Sequence, residues 1–170
     1  MNKKLRTGFF AALCLLLFLS AAAAETRQGV IALEGMEEPV EETLFESPQG
    51  FSFWYASDRL VADSGAADGA GGAVVVNPYS DDFMTLSIIT EEEATELAMA
   101  SRANIGDPSS ESRVQAELYR RQEGGTVSFC VLIAENGRYL RASGQYSLEA
   151  AEGTAKFFDR VLDSVALASE

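Results

Sequence analysis

The sequence predicts an α+β domain, an antiparallel β-sheet covered by helices, and three observations carry that reading. Segments rich in β-branched and aromatic residues are separated by Gly124-Gly125 and Asn136-Gly137, which are turn signals between antiparallel strands. Thr90 and Glu93 form a capping box ahead of apolar residues at helical spacing. Near the C-terminus Leu148, Ala151, Ala155, Phe158, Leu162 and Val165 recur every three or four positions, which draws one apolar stripe along a helix.

The chain begins MNKKLRTGFFAALCLLLFLSAAAA, with Lys3, Lys4 and Arg6 ahead of an apolar run and a series of small residues. This layout predicts a secretory signal peptide over residues 1–24, cleaved near Ala24, and hence a secreted or extracytoplasmic protein. The apolar run from Phe9 to Leu19 is shorter than the ~20 residues of a membrane span, so no stable membrane insertion is expected once the leader is removed. Leu13 stands before Cys14 where lipid attachment would need a small residue. The 146 residues after Ala24 hold ten of the 13 Lys and Arg and all 26 Asp and Glu, a net charge of −16. Such a chain repels phosphate backbones, which argues against nucleic acid as a partner. Cys130 is the one cysteine after the leader and leaves no intramolecular disulfide; within "TVSFCVLIA" it reads as a buried, inert thiol.

Residues 25–43 form an acidic N-terminal segment. Two short strands are expected there, at residues 30–33 and 43–45, joined by an acidic turn at Gly35-Met36-Glu37-Glu38 whose carboxylates would protect a solvated edge. In "GFSFWYASDRL", Phe51, Phe53 and Tyr55 share one face of a strand while Ser52, Trp54 and Ala56 share the other. Aromatics on both faces suggest a strand covered on both sides, and Arg59 is the one nearby cation, which fits core better than a stacking platform. Trp54 stays a candidate ligand-binding residue, because an indole exposed beside the glycine-rich stretch that follows would look like a binding surface. That stretch, "VADSGAADGAGGAVVVNP", carries Asp63 and Asp68 without the ligand spacing of a calcium loop, so a linker is expected. Strands follow at residues 74–76 and 85–89, joined by the turn "NPYSDDF". Its Asp81 and Asp82 form an exposed carboxylate pair and are the other two candidate ligand-binding residues.

A helix opens at Thr90, with Glu91, Glu92 and Glu93 at the positive end of its dipole and Ala94, Leu97, Ala98 and Ser101 on a narrow apolar face. Gly106 and Pro108 are expected to end it. Residues 113–122, 126–135 and 138–147 then form a three-stranded antiparallel meander, with Asn136-Gly137 in a type I′ turn. The closing helix is expected from about residue 147 to 168, capped by Ser147 and widened by Phe157 and Val161 so that it packs broadly on the sheet.

With these elements in order, the chain resembles the PsbP-like extrinsic photosystem family, whose fold is shared by Ran-binding nucleotide release factors and DcrB-type envelope proteins. The similarity is carried by "SPQGFSFWYASDRL", like that family's opening aromatic strand, and "AKFFDRVLDSV", like its closing helix. The resemblance implies a single domain over residues 44–168, an α/β/α sandwich in which helices pack on both faces of the antiparallel sheet, and usually a non-enzymatic role. It carries over no functional residue.

The sequence contains no histidine, which removes Ser-His-Asp and Cys-His nucleophiles and nearly every catalytic zinc site. "GAADGAGG" lacks the Lys-Ser/Thr pair of a phosphate-binding loop. Neither a metal nor a cofactor is therefore expected. These features favour a non-catalytic accessory or protein-interaction module of the bacterial cell envelope or extracellular space, with a protein partner. The alternatives are a small-ligand or Ca²⁺ binding protein using the loop from Asp63 to Gly72 or the pair Asp81 and Asp82, and a surface protein that self-associates through an open sheet edge.

Overall fold

The structure, a computed structural model, describes residues 24–33, 35–64, 72–103 and 113–169. The leader up to residue 23, Asp68, and the helix stop at Gly106 and Pro108 lie outside them. Strand β1 (Thr26–Leu33) turns at Gly35, which has φ +80°, into β2 (Met36–Ser47). A second turn through Pro48, Gln49 and Gly50 leads to β3 (Phe51–Ala56). The acids read as a turn and a solvated edge instead lie along β2, which pairs with β1 on one side and β3 on the other and crosses the boundary drawn at residue 43. Val40, Glu42 and Leu44 share one face of β2 and Glu41, Thr43 and Phe45 the other, the period of two that a strand needs.

The chain continues through β4 (Val61–Asp63), β5 (Ala73–Val76) and β6 (Phe83–Ile89), then helix α1 (Glu91–Ser101) and the meander β7 (Val114–Glu123), β8 (Thr126–Glu135) and β9 (Arg138–Ser147). These six strands form one antiparallel sheet in the order β4-β5-β6-β9-β8-β7. Asn136 and Gly137, at φ +54° and +70°, make the tight β8–β9 turn that their positive-φ tolerance predicts. A 3₁₀ turn (Leu148–Ala150) and a π-helical turn (Ala151–Ala155) precede helix α2 (Lys156–Ser164), and β10 (Ala166–Leu167) closes a second antiparallel sheet in the order β1-β2-β3-β10.

The expected α/β/α sandwich is therefore corrected. The described residues are mostly β, two antiparallel sheets with two short α-helices, rather than one sheet between helical layers. Two physical causes account for the difference. The N-terminal segment supplies two strands, β1 and β2, longer than the short ones expected at residues 30–33 and 43–45, and they form a sheet of their own with β3 and β10. The closing helix is also shorter than its apolar stripe: its first two turns are 3₁₀ and π, Leu148 is exposed, and the chain is extended from Val165 into β10.

One apolar core joins the sheets. Phe51 and Phe53 of the first meet Val127, Phe129, Val131, Ile133 and Leu140 of the second, with Phe157, Phe158, Val161 and Leu162 of α2. The alternate residues of β8, Cys130, Leu132 and Ala134, face the other way into a smaller cluster with Ala94 of α1, Leu118 and Tyr139. Burial on both faces explains why β8 reads as a continuous apolar run. Arginines in and beside the larger sheet donate to backbone carbonyls of the other layer. Arg138 donates to the Gly50 carbonyl at 2.7 Å and to that of Gln49, while Arg113 donates to the Asp163 carbonyl at 2.6 Å and to that of Leu162 at the negative end of α2. Among the described residues no helix is long and apolar enough to cross a membrane.

Candidate functional site

The register of the β1–β2 hairpin sets Arg27 directly opposite Glu42, and that of β2–β3 sets Leu44 opposite Trp54. Residues two apart share a face, so Arg27, Glu42 and Trp54 lie on the same side of the first sheet. Helix α2, packed against β3 and β1, brings Arg160 to the same place. Glu42 is fully buried and accepts from both arginines: Arg27 Nε lies 2.7 Å from its Oε2, Arg160 Nη2 lies 3.1 Å from Oε2, and Arg160 Nε donates to Oε1. A carboxylate taken wholly from water is tolerated only when paired and hydrogen-bonded in this way. Burial pushes the Glu42 pKa up, but the hydrogen bonds and charges of Arg160 and Arg27 outweigh that and hold it below the ordinary glutamate value.

The approach is close enough to require a glycine. A Cβ at Gly29 would sit 2.8 Å from Arg160 Nη2 and 2.9 Å from the Glu42 carboxyl. The Arg27 guanidinium also lies over the Trp54 ring, 4.2 Å from its centroid. Trp54 itself is half-buried, and its backbone N–H donates to Ser164 Oγ at 2.9 Å, a side-chain substitute for the strand pairing that β10 begins further along β3. Arg27, Trp54, Arg160, Asp163 and Ser164 line an open recess of about 310 Å³.

The other sequence candidates lie elsewhere. Asp81 and Asp82 sit in the β5–β6 turn of the larger sheet and are not an exposed pair, because Asp82 is only 3% exposed while Asp81 is exposed. Asp82 Oδ1 accepts from the Ser147 N–H at 2.8 Å and so ties the turn to the end of β9, while its buried Oδ2 has no partner among the described residues. Asp63 is exposed at the end of β4. Among the described residues no three Cys, Asp or Glu gather where they could hold a metal ion. Burial pushes the Cys130 thiol up, which keeps it protonated and unreactive.

Sequence reasoning thus named Trp54 and missed the charged residues around it. Glu42 looked like one solvated acid among several, and Arg160 lies 118 positions from it in the chain. One signal was present: a hairpin centred on residues 34 and 35 pairs Arg27 with Glu42 by counting alone. No protein-family model matches the chain, and no curated protein matches it in sequence.

Proposed function

We propose that the chain is an exported, non-catalytic accessory module that acts by binding, and that the recess at Arg27, Trp54 and Arg160 is its recognition site. One observation carries this reading: a fully buried Glu42 fixes two guanidiniums beside a half-buried indole at an open recess. Guanidiniums held in place lose little side-chain freedom when a ligand arrives, which is how a preorganised polar site gains affinity. The leader-like N-terminus supports export.

The test is a thermal-shift panel of small charged metabolites and Ca²⁺ on the purified protein, read alongside Trp54 emission. A ligand present at ~100 times its dissociation constant should add ~2.7 kcal/mol to stability. We expect such a shift with a saturable change in Trp54 emission, both lost in Arg27→Ala. A Ca²⁺ response that survives Arg27→Ala and disappears in Asp81→Asn would move the site to the β5–β6 turn. The export half is checked by mass: the extracytoplasmic protein should begin at Glu25.

A further inference from the structure

The donors around the recess are only partly used. Arg27 commits Nε to Glu42, and Arg160 commits Nε and Nη2. Both Nη atoms of Arg27 and Nη1 of Arg160 therefore have no protein acceptor among the described residues. The exposed carboxylate of Asp163, three residues after Arg160 on α2, also lines the recess and makes neither a hydrogen bond nor an ion pair within 4.0 Å among the described residues, although Arg160 feels its charge. Ser164 is not available to a ligand in the same way, since its Oγ accepts from Trp54 N–H and lies 2.8 Å from the Val161 carbonyl.

The charges of Arg27 and Arg160 are cancelled by those of Glu42 and Asp163. A simple anion would bring a net negative charge into a neutral site on a strongly acidic chain, and would meet Asp163. A simple cation would meet the two arginines. A ligand carrying both a carboxylate and an ammonium leaves the site neutral and satisfies both sides, the carboxylate on planar guanidinium donors and the ammonium on a free carboxylate. We infer that the recess is a receptor for a small zwitterion of the amino-acid class, its carboxylate held by Arg27 and Arg160 and its ammonium by Asp163. This rests on the reading of the Trp54 recess as the binding site. A volume of about 310 Å³, open on one side, accommodates the charged groups and leaves the rest of the ligand toward solvent.

Trp54 is the only tryptophan in the sequence, so intrinsic tryptophan emission reports this recess alone. The protein is titrated with glycine, 4-aminobutyrate and diglycine, which span a range of charge separations, and with acetate, methylammonium and inorganic phosphate. At least one zwitterion should bind saturably and at least tenfold more tightly than acetate, methylammonium or phosphate. Asp163→Asn should remove that tenfold advantage from both sides, weakening the zwitterion and strengthening acetate, with the thermal midpoint unchanged. Arg27→Lys, which keeps the charge beside Glu42 but removes the planar donors, should weaken zwitterions and acetate alike. Acetate or phosphate binding as tightly as the best zwitterion would overturn the ligand class and leave a plain anion site. Silence to all six probes, while another metabolite in the panel shifts Trp54 emission, would overturn the zwitterion but keep the recess as the binding site. Silence to every compound would overturn both.

Discussion

Replacing Glu42 by glutamine leaves two guanidiniums beside one another with no counter-ion between them. Removing one partner of a buried ion pair costs ~3 to 5 kcal/mol. Because Arg27 and Arg160 are each more than a third exposed and can recover water, we expect Glu42→Gln to cost about 3 kcal/mol in urea unfolding, at the lower end of that range. A pH dependence follows from the lowered pKa of Glu42. The unfolded chain takes up this proton near the ordinary value of about 4.3, and the folded chain only below it. The stabilisation is therefore complete above the unfolded value and is lost as pH falls through the folded one. Glu42→Gln should flatten the acid limb of the stability curve, and an unchanged slope would show that other carboxylates set it. At Cys130 we expect no alkylation of the folded protein and full alkylation once urea unfolds it, read as mass on the peptide that contains it. The inert thiol was legible because its environment is local sequence. The buried carboxylate was not, because what distinguishes Glu42 from Glu38 or Glu41 is a partner on the distant closing helix.

Helix α1 is the element whose design is most local, and it was read almost residue for residue. Thr90 Oγ1 accepts from the Glu93 N–H, the Glu93 carboxylate accepts from the Thr90 N–H, and Ala94 and Ala98 are buried beneath the helix. Thr90→Ala should cost ~1 kcal/mol, the usual worth of an N-cap, and a loss near zero would show that packing alone holds the helix. The end of α1 was not anticipated. It comes at Ser101, with Arg102 in the left-handed region at φ +58°, before the glycine and proline that the sequence reading relied on. The meander was equally legible, since its turns carry their own signals at Gly124-Gly125 and Asn136-Gly137. The closing helix shows where periodicity misleads. A spacing of three and four is satisfied by α, 3₁₀ and π turns in succession, and the stripe does not say which turns are regular. Its buried end still matters: Phe158, 1% exposed, should cost ~3 to 5 kcal/mol as alanine. In β9, Gly144→Ala places a Cβ 2.2 Å from the Phe83 carbonyl oxygen, so β6 and β9 must separate or the protein must lose stability.

At the scale of the whole molecule, the sequence gives the antiparallel character and the order of strands along the chain, but not their division between two sheets. Strand pairing is a long-range choice, and nothing local announces that β3 takes β2 on one side and the last strand, β10, on the other. Because the two sheets contribute to one core, they should unfold together. Far-ultraviolet circular dichroism and Trp54 emission are expected to trace one coincident transition in urea, and an earlier loss of the Trp54 signal would mean that the first sheet opens separately. The same arrangement places the candidate site, where β1, β2, β3 and α2 meet, so binding there should stabilise the whole fold. The most direct measurement is the indole N–H resonance of Trp54, a single peak in a nitrogen–proton spectrum because the chain has one tryptophan. Titrated with the tightest zwitterion, it should move to saturation in the native protein and stay still in Arg27→Ala. A peak that never moves while the ligand raises the thermal midpoint would place binding elsewhere and contradict the assignment of this recess.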